Sequence, residues 1–310
     1  MCLMAAARIA GTFLALVVGL ICAYAFLIDR AFQSQGPRPV GPSDRMISVD
    51  GLHIRYRQRA DSGKPEAVLL HGFASSLEFW NGLAPRLDCV SSVALDLPGF
   101  GGSDRPAISY SLANQARYLT AFMDSLGIGR AVLIGQSMGS SLALYTAAHY
   151  PRRVSALVLF APSGLPGSLY YPGLHGRLVR PGLLGTLGRW TLRVPGIRSA
   201  LRNSLAWQGL TLAPSYDSSF VTTVASVRQP ALLIWSEGDP LVPMAYAQRY
   251  AALMPQARLL TLPRQAGHGG PLFEPDATAR RICDFLRSPG AAASDSVRVA
   301  AKNEPAGAIE

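Results

Sequence analysis

The chain of 310 residues carries a formal charge of +10, with 49% hydrophobic and 15% charged residues, a balance that excludes a disordered chain and allows one substantial packed domain. The charge does not point to nucleic acid, because it comes from scattered arginines, with Lys64 and Lys302 the only lysines and no basic helix interleaved with aromatics. Cys2, Cys22, Cys89 and Cys283 form no C-x-x-C pair, so buried free thiols and no metal site are the expectation.

Residues 9–28 form an uncharged apolar stretch, bounded by Arg8 and by Asp29-Arg30, that as a helix is long enough to span a hydrocarbon core. Ala23-Tyr24-Ala25 has the small residues of a cleavage site, yet apolar residues continue to Ile28. Segment 1–30 is therefore read as a retained membrane anchor, with a cleaved signal and a secreted or periplasmic protein as the alternative. Arginines on both sides leave its orientation open. Residues 31–45, rich in proline and glycine, read as a linker.

Short alternating runs at 46–49 and 52–57 flank Asp50-Gly51 and predict a hairpin. Apolar runs at 67–70 and 93–95 predict buried strands, each leading into a glycine-rich loop, with a helix between them at 77–83. Helix 111–126, strand 131–134, helix 141–149 and strand 154–160 follow. After an interruption come strand 231–235, helix 245–253, strand 259–262 and helix 277–286. Such alternation implies a mostly parallel sheet with helices on both faces, in which ligands bind outside the C-terminal strand ends. The interruption, 163–222, has an apolar face at Ile197, Leu201 and Leu205 and six arginines before Asp217, and reads as a lid inserted in a core formed by 46–162 and 223–288. Residues 289–310, without periodicity, are expected to be a disordered tail.

The stretch Gly135-Gln136-Ser137-Met138-Gly139 joins a predicted strand to a predicted helix and has the layout of a nucleophile elbow, with glycines where strand and helix backbones come close. A serine hydroxyl is a poor nucleophile until an oriented base takes its proton. His268, between glycines after the last strand, is the candidate base; His53, His149 and His175 occupy less suitable places. Asp239, in the turn Ser236-Glu237-Gly238-Asp239-Pro240, is the candidate acid, with Glu237 the runner-up and a plain turn aspartate the simpler reading. Negative charge developing on a carbonyl oxygen needs preorganised donors, for which the N–H groups of Met138 and Phe73 are the candidates. Gly72 would let the latter backbone swing over the site, and His71 would support the loop.

The stretches His71-Gly72-Phe73, Asp96-Leu97-Pro98-Gly99-Phe100-Gly101-Gly102-Ser103-Asp104, Gly135 to Gly139, Trp235 to Asp239 and Gly267-His268 together resemble the α/β-hydrolase superfamily from about residue 46 to 287. The resemblance is closest to its esterase and lipase branch, including monoacylglycerol-lipase-like members. It implies an α/β-hydrolase fold with a mostly parallel eight-stranded sheet, an inserted helical lid, a Ser137/His268/Asp239 triad and no cofactor. Dehalogenases and epoxide hydrolases of the fold use an aspartate where Ser137 stands. Carbon–carbon bond hydrolases usually have a glycine-rich loop where Phe73-Ala74-Ser75-Ser76 stands. Ser236 and Ser140 replace usual glycines, and Gly269-Gly270 lengthens the loop after His268. The expected activity is hydrolysis of a small-molecule ester or lipid, with apolar acyl esters or monoacylglycerols favoured by the anchor and lid. Carbon–carbon hydrolysis, acyl transfer, perhydrolysis and a non-enzymatic ligand sensor are the alternatives.

Overall fold

The structure, a computed structural model, describes residues 41–167, 205–212, 215–288 and 297–298, with Thr12, Gly19 and Ala23 as isolated helical positions. Nearly all of the apolar stretch 9–28, most of the lid with His175, Ile197 and Leu201, and most of the tail lie outside the described residues. Among the described residues no helix is long and apolar enough to cross a membrane.

The strands are β1 (Arg45–Val49), β2 (Leu52–Arg59), β3 (Glu66–Leu70), β4 (Ser91–Leu95), β5 (Ala131–Gln136), β6 (Val154–Phe160), β7 (Ala231–Ser236), β8 (Ala257–Leu262) and β9 (Val297–Arg298). They form one sheet in the order β1-β2-β4-β3-β5-β6-β7-β8-β9. The β1–β2 and β2–β4 pairings are antiparallel and the rest parallel. Eight strands match the expected sheet. The ninth is a two-residue strand from the segment read as a disordered tail, paired to β8 through Leu260 and Thr261.

Strand alternation divides the core into two faces. Leu70, Leu95, Leu133, Leu157, Leu233 and Trp235 point to one side, covered by α1 (Leu112–Ser125), α2 (Met138–His149) and, further along the sheet, α4 (Ser218–Ser226) and α5 (Ala245–Leu253). Leu69, Ile134, Val158, Phe160, Ile234 and Leu262 point to the other, against Leu77, Trp80 and α6 (Pro275–Arg287). Within the segment expected to form the lid, α3 (Leu205–Leu212) precedes α4, which runs through the expected boundary at 222.

Two local expectations are corrected. The helix expected at 77–83 is a pair of 3-10 turns, Leu77–Trp80 and Ala84–Arg86. The three-residue period of the first turn aims both Leu77 and Trp80 into the core. Cys89 and Cys283 are not free thiols: they form a disulfide, with Cα atoms 5.5 Å apart across a sequence separation of 194, that staples the chain entering β4 to α6.

Candidate active site

Four loops leave the C-terminal ends of β3, β5, β7 and β8, and each carries one group singled out in the sequence: Phe73, Ser137, Asp239 and His268. Ser137 sits at the corner between β5 and α2 with φ 52° and ψ −114°, a left-handed conformation that L-residues avoid and that surrounding contacts must hold. Its N–H donates to the Phe160 carbonyl at 2.9 Å, and its carbonyl accepts from Ser141 N–H at 3.1 Å. Space explains the flanking glycines. A Cβ on Gly135 would stand 2.5 Å from the Ser140 nitrogen, and one on Gly139 would stand 2.6 Å from the His71 carbonyl oxygen. The second close approach seats the start of α2 directly against the loop leaving β3.

Asp239 is buried and splits its two oxygens between two tasks. Oδ1 accepts the N–H groups of Leu241 and Val242, each at 2.9 Å, and Oδ2 lies 2.7 Å from His268 Nδ1. It is thus a turn aspartate and the imidazole's partner at once, so the two readings of the sequence do not compete. Glu237, the runner-up, is exposed. A carboxylate facing Nδ1 keeps the proton there and leaves Nε2 with its lone pair, the tautomer a general base requires. The structure shows no hydrogen bond between Ser137 and His268. In unliganded enzymes such contacts are often long and tighten on substrate binding.

Met138 is the first residue of α2, and neither it nor Phe73 donates its N–H to a backbone carbonyl among the described residues. Both groups remain available to a ligand at the positive end of a helix. Gly72 lies close beneath the Gln136 side chain. Its φ is ordinary and the positive value falls on Ala74, at 57°; a Cβ on Gly72 would meet the Gln136 side chain, 3.2 Å from Cδ and nearer still to Oε1.

His71 is fully buried beneath this loop. Its Nδ1 donates to the Gly72 carbonyl at 2.7 Å and its Nε2 accepts the Leu97 N–H at 3.1 Å. Burial holds its pKa below the ordinary 6.5 against the raising influence of Asp96, so the ring stays neutral and braces two loops. Asp96 organises the second loop, accepting N–H groups from Leu77 and Gly102 at 2.7 Å each. The buried Arg55 guanidinium lies 3.3 Å from both Asp96 and Asp44 and also pairs with Glu78.

The sequence reading missed Arg55 and Gln136. Arg55 stands in an alternating strand, where an arginine normally faces water; only its conjunction with three acids from other segments makes it internal. The departures from the family pattern also have structural places: Ser140 Oγ donates to the Phe160 carbonyl at 3.2 Å, and Ser236 Oγ to the Pro263 carbonyl at 2.9 Å.

The family model described as alpha/beta hydrolase fold matches residues 68–194, and one described as TAP-like protein matches 206–298. The uncharacterized hydrolase YugF of Bacillus subtilis is 29% identical over 78% of this chain and 97% of its own length. A 2-hydroxy-6-oxo-6-phenylhexa-2,4-dienoate hydrolase of Burkholderia cepacia is 30% identical over 77% of this chain and 94% of its own. Among solved structures, a bacterial membrane phospholipase A superposes with a TM-score of 0.64 at 24% identity, covering 94% of this chain and 98% of that one. Matched along nearly the whole length of these relatives, with the strand order and loop positions described, the chain belongs to the alpha/beta hydrolase superfamily.

Proposed function

We propose that this protein is a serine hydrolase that cleaves carboxylic esters through an acyl-enzyme, with Ser137, His268 and Asp239 as the triad and the N–H groups of Phe73 and Met138 as the oxyanion site. The observation that carries this reading is the 2.7 Å contact of Asp239 Oδ2 with His268 Nδ1, at the same sheet end as a strained serine corner. Ser137 Oγ attacks the acyl carbon while its proton passes to His268 Nε2, and the carbonyl oxygen becomes an oxyanion facing the two N–H donors. As the tetrahedral species collapses, the proton on Nε2 goes to the departing alkoxide, releasing the alcohol. Water then attacks the acyl-enzyme with His268 again as base, freeing the acid and restoring Ser137.

Carbon–carbon bond hydrolysis is the second reading, favoured by the name of the Burkholderia cepacia relative. Against it stands the loop Phe73-Ala74-Ser75-Ser76, which lacks the glycines usual after the His-Gly pair in such enzymes. Within the ester reading, apolar acyl esters or monoacylglycerols are the favoured class, since a membrane anchor at residues 9–28 would hold the domain beside lipid. The Cys89–Cys283 bond supports exposure of the domain to an oxidising compartment, where disulfides persist.

The test is a panel of p-nitrophenyl esters of graded chain length, beside a vinylogous diketone of the carbon–carbon hydrolase class, run on wild type and Ser137→Ala. Ester turnover lost in the variant is expected. Turnover of the diketone alone would establish the second reading, and a wild type no faster than the variant on any substrate would refute both.

A further inference from the structure

We infer that Gln136, the residue before Ser137, is a positioning residue that ties the His268 loop and the Phe73 loop to the elbow. This role depends on the serine-hydrolase reading of Ser137 and His268. Along β5 the side chains alternate, and Gly135 faces α2, where the helix backbone leaves no room for a Cβ. Gln136 is therefore turned to the opposite face, toward the chain segments that leave β3 and β8.

There it is buried, 4% exposed, in a setting where an amide must be paired to be tolerated. Its Nε2 donates to the His268 carbonyl oxygen at 3.1 Å, across 132 residues of sequence. Its Oε1 lies against Gly72, so that a Cβ there would require the end of the Gln136 side chain to move. One side chain thus touches the backbone of the candidate base and the backbone that presents the Phe73 N–H.

The histidine loop needs such an anchor. Residues 264–272 form 3-10 turns broken on either side of His268, at Gly267 (φ 53°, ψ −151°) and Gly269 (φ −90°, ψ 29°), so the loop's own helical bonds do not orient the ring. Asp239 holds the imidazole at Nδ1 and Gln136 holds the following peptide at its oxygen. Two points define the swing of the ring toward Ser137, whereas Asp239 alone would leave a pivot. Displacing a reacting group by about 1 Å costs on the order of 100-fold in rate.

Two variants separate this role from packing. Gln136→Met keeps length and volume but has no donor, and Gln136→Glu keeps the shape but turns the donor into an acceptor facing the His268 carbonyl. Both are expected to slow fluorophosphonate labelling of Ser137 and to lower kcat on esters by roughly 10- to 100-fold, with KM within about threefold of wild type. The labelling rate is measured on protein shown by its thermal unfolding midpoint to be folded. A wild type that labels, with folded variants that label equally fast, would overturn the role of Gln136 and leave the serine-hydrolase reading standing. A wild type that resists labelling would overturn both. Failure of both variants to fold would assign Gln136 to the core alone and overturn the positioning role as well.

Discussion

Replacing Asp239 by asparagine separates what this side chain does for the turn from what it does for the imidazole. In the wild type Oδ1 accepts two N–H groups at 2.9 Å, from Leu241 and Val242, while Oδ2 meets His268 Nδ1 at 2.7 Å. An asparagine must keep its one carbonyl oxygen on the two backbone donors, so its NH2 group is forced toward Nδ1. Nδ1 then becomes an acceptor and the ring proton moves to Nε2, the nitrogen that should take the Ser137 proton. The expected loss in kcat is about 10⁴-fold, equivalent to roughly 5.4 kcal/mol of barrier, with KM changed only a few-fold. Stability should fall by no more than about 1 kcal/mol, because both turn bonds survive. Asp239→Ala removes those bonds too, each worth about 1.5–3 kcal/mol to a charged acceptor, so it should be as inactive as the asparagine variant and clearly less stable. Steady-state ester kinetics and urea denaturation on the three proteins read both quantities. An asparagine variant that retains more than about a tenth of wild-type kcat, or that is as unstable as the alanine variant, would refute the division of labour between the two oxygens.

Two further outcomes follow from features remote from the reacting atoms. The Cys89–Cys283 bond closes a loop across a separation of 194, for which chain entropy sets a ceiling of about 5 kcal/mol and typical disulfides reach 2–4. Cys89→Ser/Cys283→Ser should therefore unfold roughly 4–16 °C lower than wild type, and a reductant should lower the wild type toward the double variant without affecting the latter. Alkylation of denatured, unreduced protein from cells should leave both cysteines unmodified, and labelling of both would refute the bond. His71 supplies a pH dependence. Because burial lowers its pKa below 6.5, the unfolded chain takes up a proton there that the folded chain refuses, so stability is lost as pH falls from about 6.5 toward the folded value. The unfolding midpoint of wild type should drop more between about pH 7.5 and 5.5 than that of His71→Gln, and equal slopes would show that His71 carries no such linkage.

What could be read before folding is what neighbouring residues encode. Apolar runs and their periods marked the eight main strands and most helices, since burial on a pleated sheet or beside it imposes a period of two or about 3.6. Turn chemistry marked the strand ends, and in a parallel sheet those ends share one edge, so Phe73, Ser137, Asp239 and His268 could be nominated together. Glycines beside Ser137 were legible because the space they save lies at a strand-to-helix corner. The pairing of Cys89 with Cys283, the hold of Gln136 on the His268 carbonyl, the acids around Arg55 and the approach of Gln136 to Gly72 were not legible. These contacts join residues from 11 to 194 positions apart, and composition and period carry no record of distance between them. Sequence alone determined the kind of layers and the chemistry available at their edge; the tertiary structure decided which distant groups meet there, because only the folded sheet brings them within the few ångströms over which hydrogen bonds, ion pairs and steric exclusion act.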